Sequence, residues 1–303
     1  LKTAFIFPGQ GSQKAGMGKN IYENFEAARS VMDSAAKALG FDLKTILFEG
    51  PEEKLKLTEI AQPAILTVSI ATLKAFDRQP DIAAGHSLGE YSALVCAGAV
   101  SFEDAVRIVN KRGKFMQEAV PAGKGAMAAV LGLDREKVID CCKKAGSFGI
   151  VEAANFNCPG QTVISGETAA LAEAGKLLKE AGAKRVLPLA VSAPFHSSLM
   201  KSAAEKLKAE LDRITVKDAR IPVISNVTAL PVTKADEIKD LLVRQVTGAV
   251  LWEDCVRNMA ASGVEAFVEI GCGKVLTGLV KKTSEHAKIY NIEDAGSIKE
   301  FVL

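Results

Sequence analysis

The sequence predicts an α/β layer protein with a smaller antiparallel unit inserted into it. Three observations carry this. Short apolar runs alternate with helical periodicity along residues 3–119, the rhythm of a layered α/β fold. Past Pro121 the order changes to strand, helix, strand, strand, helix, strand, which is the βαββαβ order of a ferredoxin-like unit. Between a short strand pattern and a helical one stands Gly85-His86-Ser87-Leu88-Gly89, a G-x-S-x-G stretch suited to a sharp strand-to-helix turn.

Taken in order, Thr3–Phe7 reads as a buried strand followed by the loop Pro8–Gln13. Helical patterns follow at Ile21–Leu39, Pro51–Leu55 and Gln62–Phe76, then a strand at Ile82–Ala84 and a helix over Glu90–Val95. Another helix runs from Ser101 to about Ala119, with Ser101 and Asp104 forming its N-terminal cap. Pro121–Gly125 reads as a linker. The inserted unit comprises Ala126–Leu131, Asp134–Ala145, Ile150–Asn155, Thr162–Ser165, Thr168–Ala181 and Lys184–Leu189. Later strands are expected at Val223–Ser225, Ala266–Ile270 and Lys288–Asn291. The expected division is a large domain of 1–122 and 191–303 around a small domain of 123–190.

The 303 residues, 48% of them apolar, allow a large core. A net charge of +2 with 24% charged residues points away from nucleic-acid binding and polybasic membrane attachment. No pair of the six cysteines has C-x-x-C spacing, so they read as small buried hydrophobes in a reducing cytosol. The N-terminal stretch lacks a cationic start and a long apolar region. No apolar run reaches the roughly 18 residues of a membrane span. A cytoplasmic location is expected.

A serine flanked by glycines at −2 and +2 can sit on a strained turn with its hydroxyl projecting, which implies acyl chemistry through a serine ester. Such a serine needs a base, and the chain has three histidines. His86 neighbours the serine inside the turn and should point away from it. His286 lies in a polar stretch that reads as surface. His196, on the proline turn Pro194-Phe195-His196, can face a cleft, although a loop histidine bonded to backbone is the plain alternative. Acyl transfer also needs amides aimed at the oxyanion. The Leu88 amide follows the nucleophile, and the Gly9-Gln10-Gly11 loop is placed to supply the Gln10 amide. That loop lacks the G-K-[ST] ending of a phosphate loop.

At about 100° per residue, Arg112 projects within ~20° of Ala105 on the apolar face of its helix. An arginine there is costly unless paired. It either meets an internal carboxylate or grips one on the substrate through two parallel hydrogen bonds.

Pro8–Gln13 (PGQGSQ), Gly85–Ala93 (GHSLGEYSA), Arg112–Pro121 (RGKFMQEAVP), Asn155–Gly166 (NFNCPGQTVISG), Pro194–Met200 (PFHSSLM) and Gly273–Leu279 (GKVLTGL) together resemble the bacterial malonyl-CoA:acyl carrier protein transacylases of type II fatty acid synthesis. The resemblance runs nearly end to end and in order. It implies an α/β-hydrolase-like large domain with a parallel sheet and a ferredoxin-like insert. It implies Ser87 as the acylated nucleophile, His196 as its base, Arg112 on the malonyl carboxylate, and the Gln10 and Leu88 amides as oxyanion hole. It maps the carbonyl that orients the histidine to Gln245, and it matches Gln62 and Asn157 to polar positions near the site. Phe195 resembles the malonyl-selecting type of related polyketide acyltransferases. The implied substrates are malonyl-CoA and acyl carrier protein, with no metal or other cofactor, and a monomer is expected. Gly271-Cys272-Gly273 departs from the family's frequent Gly-Pro-Gly, which changes turn stiffness but not the catalytic set. A polyketide-serving acyltransferase, a serine thioesterase and a non-catalytic binding protein are the rival readings.

Overall fold

The computed structural model describes every residue except Ser192. The chain opens with β1 (Thr3–Phe7), then α1 (Lys19–Asn24), α2 (Glu26–Leu39), α3 (Leu43–Glu49), α4 (Glu52–Lys56) and α5 (Thr58–Phe76). β2 (Ile82–Gly85), α6 (Gly89–Cys96) and α7 (Phe102–Glu118) lead to the smaller unit. That unit is β3 (Gly125–Leu131), α8 (Arg135–Ala145), β4 (Val151–Cys158), β5 (Gln161–Glu167), α9 (Thr168–Glu180) and β6 (Arg185–Pro188). The chain returns through α10 (Lys201–Leu211), β7 (Val223–Ile224), β8 (Pro231–Val232), α11 (Ala235–Thr247) and α12 (Trp252–Ala261). It closes with β9 (Ala266–Ile270), α13 (Val275–Thr283), β10 (Lys288–Ile292) and α14 (Ala295–Glu300).

The large sheet has the order β10-β9-β1-β2-β7-β8. Its pairings are parallel except at the edge, where β8 runs antiparallel to β7. The central strand β1 is buried along its whole length. Phe5 and Phe7 enter the core shared with α2, α5 and α7, while Ala4 and Ile6 enter the one shared with α12 and α13. A strand covered on both faces reads as a continuous apolar run, which is why Thr3–Phe7 was legible. Burying each such phenylalanine contributes about 2 kcal/mol. The four-stranded sheet has the order β4-β5-β3-β6 with antiparallel pairings, the ferredoxin-like arrangement the sequence predicts. Its own core lies against α8 and α9.

Three expectations need correction. The helix expected over Ile21–Leu39 is two helices, because Phe25 is extended (φ −132°, ψ 123°) and both ends α1 and starts α2. Gly125 belongs to β3 rather than to the linker. α5 begins at Thr58, not Gln62, and keeps Pro63 inside it. Proline cannot donate to the carbonyl four residues back, and that carbonyl, of Glu59, accepts from the Asn110 side chain on α7 at 2.7 Å. The neighbouring helix supplies the missing donor.

The two sheets are stitched together beside the site. Val250 donates to the Ala154 carbonyl at 2.8 Å and its own carbonyl accepts from Phe156 at 2.9 Å, a parallel bridge from β4 to the segment before α12. Among the described residues, no helix is long and apolar enough to cross a membrane.

Candidate active site

The site forms at the C-terminal ends of β1 and β2. Ser87 follows β2 with φ 49°, a left-handed backbone that costs energy for a residue with a side chain. The flanking glycines permit the turn. A Cβ on Gly85 would lie 2.0 Å from the Gly89 carbonyl, and one on Gly89 would lie 2.0 Å from the Phe7 carbonyl oxygen. The Ser87 amide donates to Asn226 Oδ1 at 2.7 Å, and Asn226 Nδ2 donates to the Gly85 carbonyl at 2.8 Å. One asparagine after β7 therefore pins both sides of the bend.

His196 also has a positive φ, 56°. Its turn is tied down by the Ser197 hydroxyl, which donates to the Pro194 carbonyl at 2.7 Å. It is also anchored by Glu152 on β4, whose carboxylate accepts from the Ser198 amide and hydroxyl. This brings His196 Nε2 to 2.7 Å from Ser87 Oγ, and His196 Nδ1 to 2.9 Å from the Gln245 backbone carbonyl. A carbonyl only accepts, so Nδ1 carries the proton and Nε2 is left to accept from the serine. Burial, aided by the positive charge of Arg112, pushes the imidazole down to about 3. The ring is therefore a neutral base at ordinary pH.

Arg112 on α7 is almost fully buried. One Nη atom donates to Gln62 Oε1 at 2.6 Å; the other donates to Ser87 Oγ at 3.0 Å and to Gln245 Oε1 at 2.9 Å. Its guanidinium carbon stands 5.4 Å from the centre of the Tyr91 ring. These hydrogen-bond partners are neutral, and among the described residues Arg112 forms no ion pair. Among the described residues no carboxylate bonds to it directly; the buried acid Glu90 is reached only through the Gln245 side chain, and the cation faces a cavity of about 410 Å³.

Gln10, Gln62, Ser87, Leu88, Arg112, Phe195 and His196 all line that cavity. Among the described residues the amides of Gln10 and Leu88 have no hydrogen-bond partner within the chain, the condition an oxyanion donor needs. Asn157 does not reach the cavity. Its Oδ1 lies 2.8 Å from His86 Nε2, so its amide is spent one layer out, and Asn155 takes the place on the wall. His86 itself turns from the nucleophile toward Asn157 and packs beside Trp252, ring centroids 5.8 Å apart. His286 is exposed, as its polar context predicts.

Sequence reasoning missed Asn226, Glu90 and the side chain of Gln245. All three are buried in one polar network behind the bend. The available signal was an acid on the otherwise uncharged helix α6, at Glu90.

The acyl transferase domain family model matches residues 4–300. The malonyl CoA-acyl carrier protein transacylase of Bacillus subtilis is 53% identical over 302 residues, covering 98% of this chain and 95% of that protein. Its Escherichia coli K12 counterpart is 50% identical, covering 92% of each. The crystal structure of an acyl carrier protein S-malonyltransferase from Vibrio cholerae superposes with a TM-score of 0.97 at 44% identity, covering 99% of both chains. Another solved structure, a malonyl-transacylase in complex with its type II polyketide synthase acyl-carrier protein, gives 0.96 at 44% identity, covering 99% of this chain and 98% of that one.

Proposed function

The chain belongs to the acyl transferase family, and from that premise we propose that Ser87 carries a malonyl group between two thiols. The protein is a malonyl-CoA:acyl carrier protein transacylase, an acyltransferase of fatty acid synthesis. Malonyl-CoA is its donor and acyl carrier protein its acceptor.

In the first half-reaction Ser87 Oγ attacks the thioester carbonyl while His196 Nε2 takes its proton. The amides of Gln10 and Leu88 receive the developing oxyanion. The C–S bond then breaks, coenzyme A leaves with the proton from His196, and a malonyl ester stays on Ser87. In the second half the phosphopantetheine thiol gives its proton to His196 and attacks that ester. Ser87 leaves with the proton returned. The Gln245 carbonyl holds the imidazole in the required tautomer throughout, in place of an aspartate. Arg112 pairs with the malonyl carboxylate, which no uncharged acyl group can replace.

One observation carries this reading: a cation that forms no ion pair among the described residues touches the hydroxyl that a histidine is placed to deprotonate. We take residues 1–122 and 191–303 as the lobe bearing the bend, with 123–190 inserted. We propose that the enzyme acts as a monomer in the cytoplasm: nucleophile, base and cation meet without a residue from a second copy, and all six cysteines are free thiols, which suits a reducing compartment.

The test is to incubate the protein with malonyl-CoA, map the adduct by mass spectrometry, and add phosphopantetheinylated carrier. The malonyl mass is expected on Ser87 and then on the carrier thiol. Release as free malonate at a comparable rate would make the protein a hydrolase and refute the reading.

A further inference from the structure

Gln245 is contacted from three sides. Its backbone carbonyl faces His196, its Oε1 accepts from Arg112 at 2.9 Å, and its Nε2 donates to Glu90 Oε2 at 2.8 Å. The Ser87 carbonyl and Asn226 Oδ1 stand farther from Nε2, at 3.1 and 3.2 Å. A side-chain amide has a donating end and an accepting end, and a flip exchanges them. Flipped here, the amide would turn its N–H groups toward a guanidinium that only donates. It would turn its oxygen toward a carboxylate that, ionised, only accepts.

Glu90 lies in the first turn of α6, three residues after the nucleophile, and is buried without lining the cavity. A helix N-terminus favours an acid in its first turn. Yet the hydrogen bonds Glu90 accepts come from elsewhere: Gln245 Nε2 on α11 and the Asn226 amide after β7, the latter at 3.0 Å. A buried carboxyl is costly. Burial raises this one to about 7, opposed by those two hydrogen bonds and by the charge of Arg112.

We infer that Glu90 is a positioning residue for substrate selection: by accepting from the Gln245 amide it keeps Oε1 turned to Arg112, and so fixes the guanidinium in the pose that receives the malonyl carboxylate. This rests on the role given to Arg112 above. The chain of contacts runs from a buried acid, through one amide, to the cation at the substrate. Through Asn226, the same carboxylate also steadies the bend that carries Ser87.

The test compares loading of Ser87 by malonyl-CoA and acetyl-CoA in E90L and E90Q. In E90L, which accepts nothing, the malonyl-over-acetyl ratio of kcat/KM is expected to fall about tenfold or more, the worth of one charge-assisted hydrogen bond. In E90Q, whose Oε1 can accept from the same two donors, the ratio is expected to stay within about threefold of the parent. A merely structural defect would slow both thioesters alike, so an unchanged ratio in E90L overturns the inference. So does an E90Q ratio as low as that of E90L. Should E90L not fold, Q245M keeps the backbone carbonyl on His196 but lacks the amide; the same fall is expected, and an unchanged ratio overturns the inference. R112A run alongside separates the two claims. If R112A keeps the malonyl preference, the reading of Arg112 fails. If R112A loses it while E90L keeps it, only the role of Glu90 fails.

Discussion

Arg112 donates to the hydroxyl of Ser87 across 3.0 Å, so the cation and the nucleophile are in direct contact. A malonyl group esterified to that oxygen carries its carboxylate only two bonds beyond the carbonyl carbon, a reach that suits a guanidinium beside the ester. R112A is expected to lower kcat/KM for malonyl-CoA by about 100-fold, equivalent to about 3 kcal/mol, as for loss of one partner of a buried ion pair. Loading from acetyl-CoA should fall far less. Steady-state loading with both thioesters measures this, and an equal fall in the two would remove the carboxylate clamp.

The low proton affinity of His196, pushed down to about 3 from an ordinary 6.5, fixes the sign of a pH effect. A depressed folded value keeps the imidazole neutral as the pH drops, so the base remains available in mild acid. Single-turnover malonylation of Ser87 is expected to keep more than about half its pH 7.5 rate at pH 5.5, where a histidine titrating at its ordinary value would keep only about a tenth. A rate that tracks the ordinary value would contradict the buried, neutral base.

Phe195 lines the cavity immediately before the base and is expected to crowd the malonyl α-carbon. Methylmalonyl-CoA should load about tenfold or more slowly than malonyl-CoA, the cost of one misplaced methyl group. F195A should narrow that gap. Comparable loading of the two thioesters by the parent enzyme would refute the crowding.

The bend tolerates no side chain at its glycines. In G89A the new methyl would meet the Phe7 carbonyl oxygen at 2.0 Å, a clash with backbone that no rotamer change can relieve. A loss of about 3 kcal/mol or more is expected in urea unfolding. Near-parental stability would show that the strand and helix can part.

Asn110 and Pro63 should be coupled. N110A leaves the Glu59 carbonyl without its donor and is expected to cost about 1–2 kcal/mol. In a P63A background the residue at that position regains an N–H for the same carbonyl, so N110A should cost less there. A double-mutant cycle by denaturant unfolding reads the coupling, and strictly additive losses would exclude it.

The parts of the protein legible in the sequence are those whose pattern is local. β1 is visible because both its faces are buried, and the turn at Ser87 because backbone crowding demands glycine on each side. His196 could be reached by setting aside two other histidines on context. The polar network behind the bend was not legible. Glu90 and Gln245 are 155 residues apart, and Glu90 and Asn226 are 136 apart, so their burial depends on how α11 and the β7 loop pack onto α6. The true start of α5, ahead of Pro63, was illegible for a related reason: nothing local announces that a side chain on another helix will satisfy the carbonyl this proline strands.

The bridge between β4 and Val250 has a mechanical consequence. Five residues before Val250 is the carbonyl that sets the imidazole, and two residues after His196 is Ser198, clasped by Glu152 of the same β4. Segments beside both sheets thus grip the one ring that must stay aimed at Ser87. Prising them apart like a jaw to admit a bulky visitor would disarm the enzyme in the same stroke. The acyl group must instead be delivered at the tip of a slender, flexible arm, and coenzyme A and the carrier's prosthetic group share just such an arm.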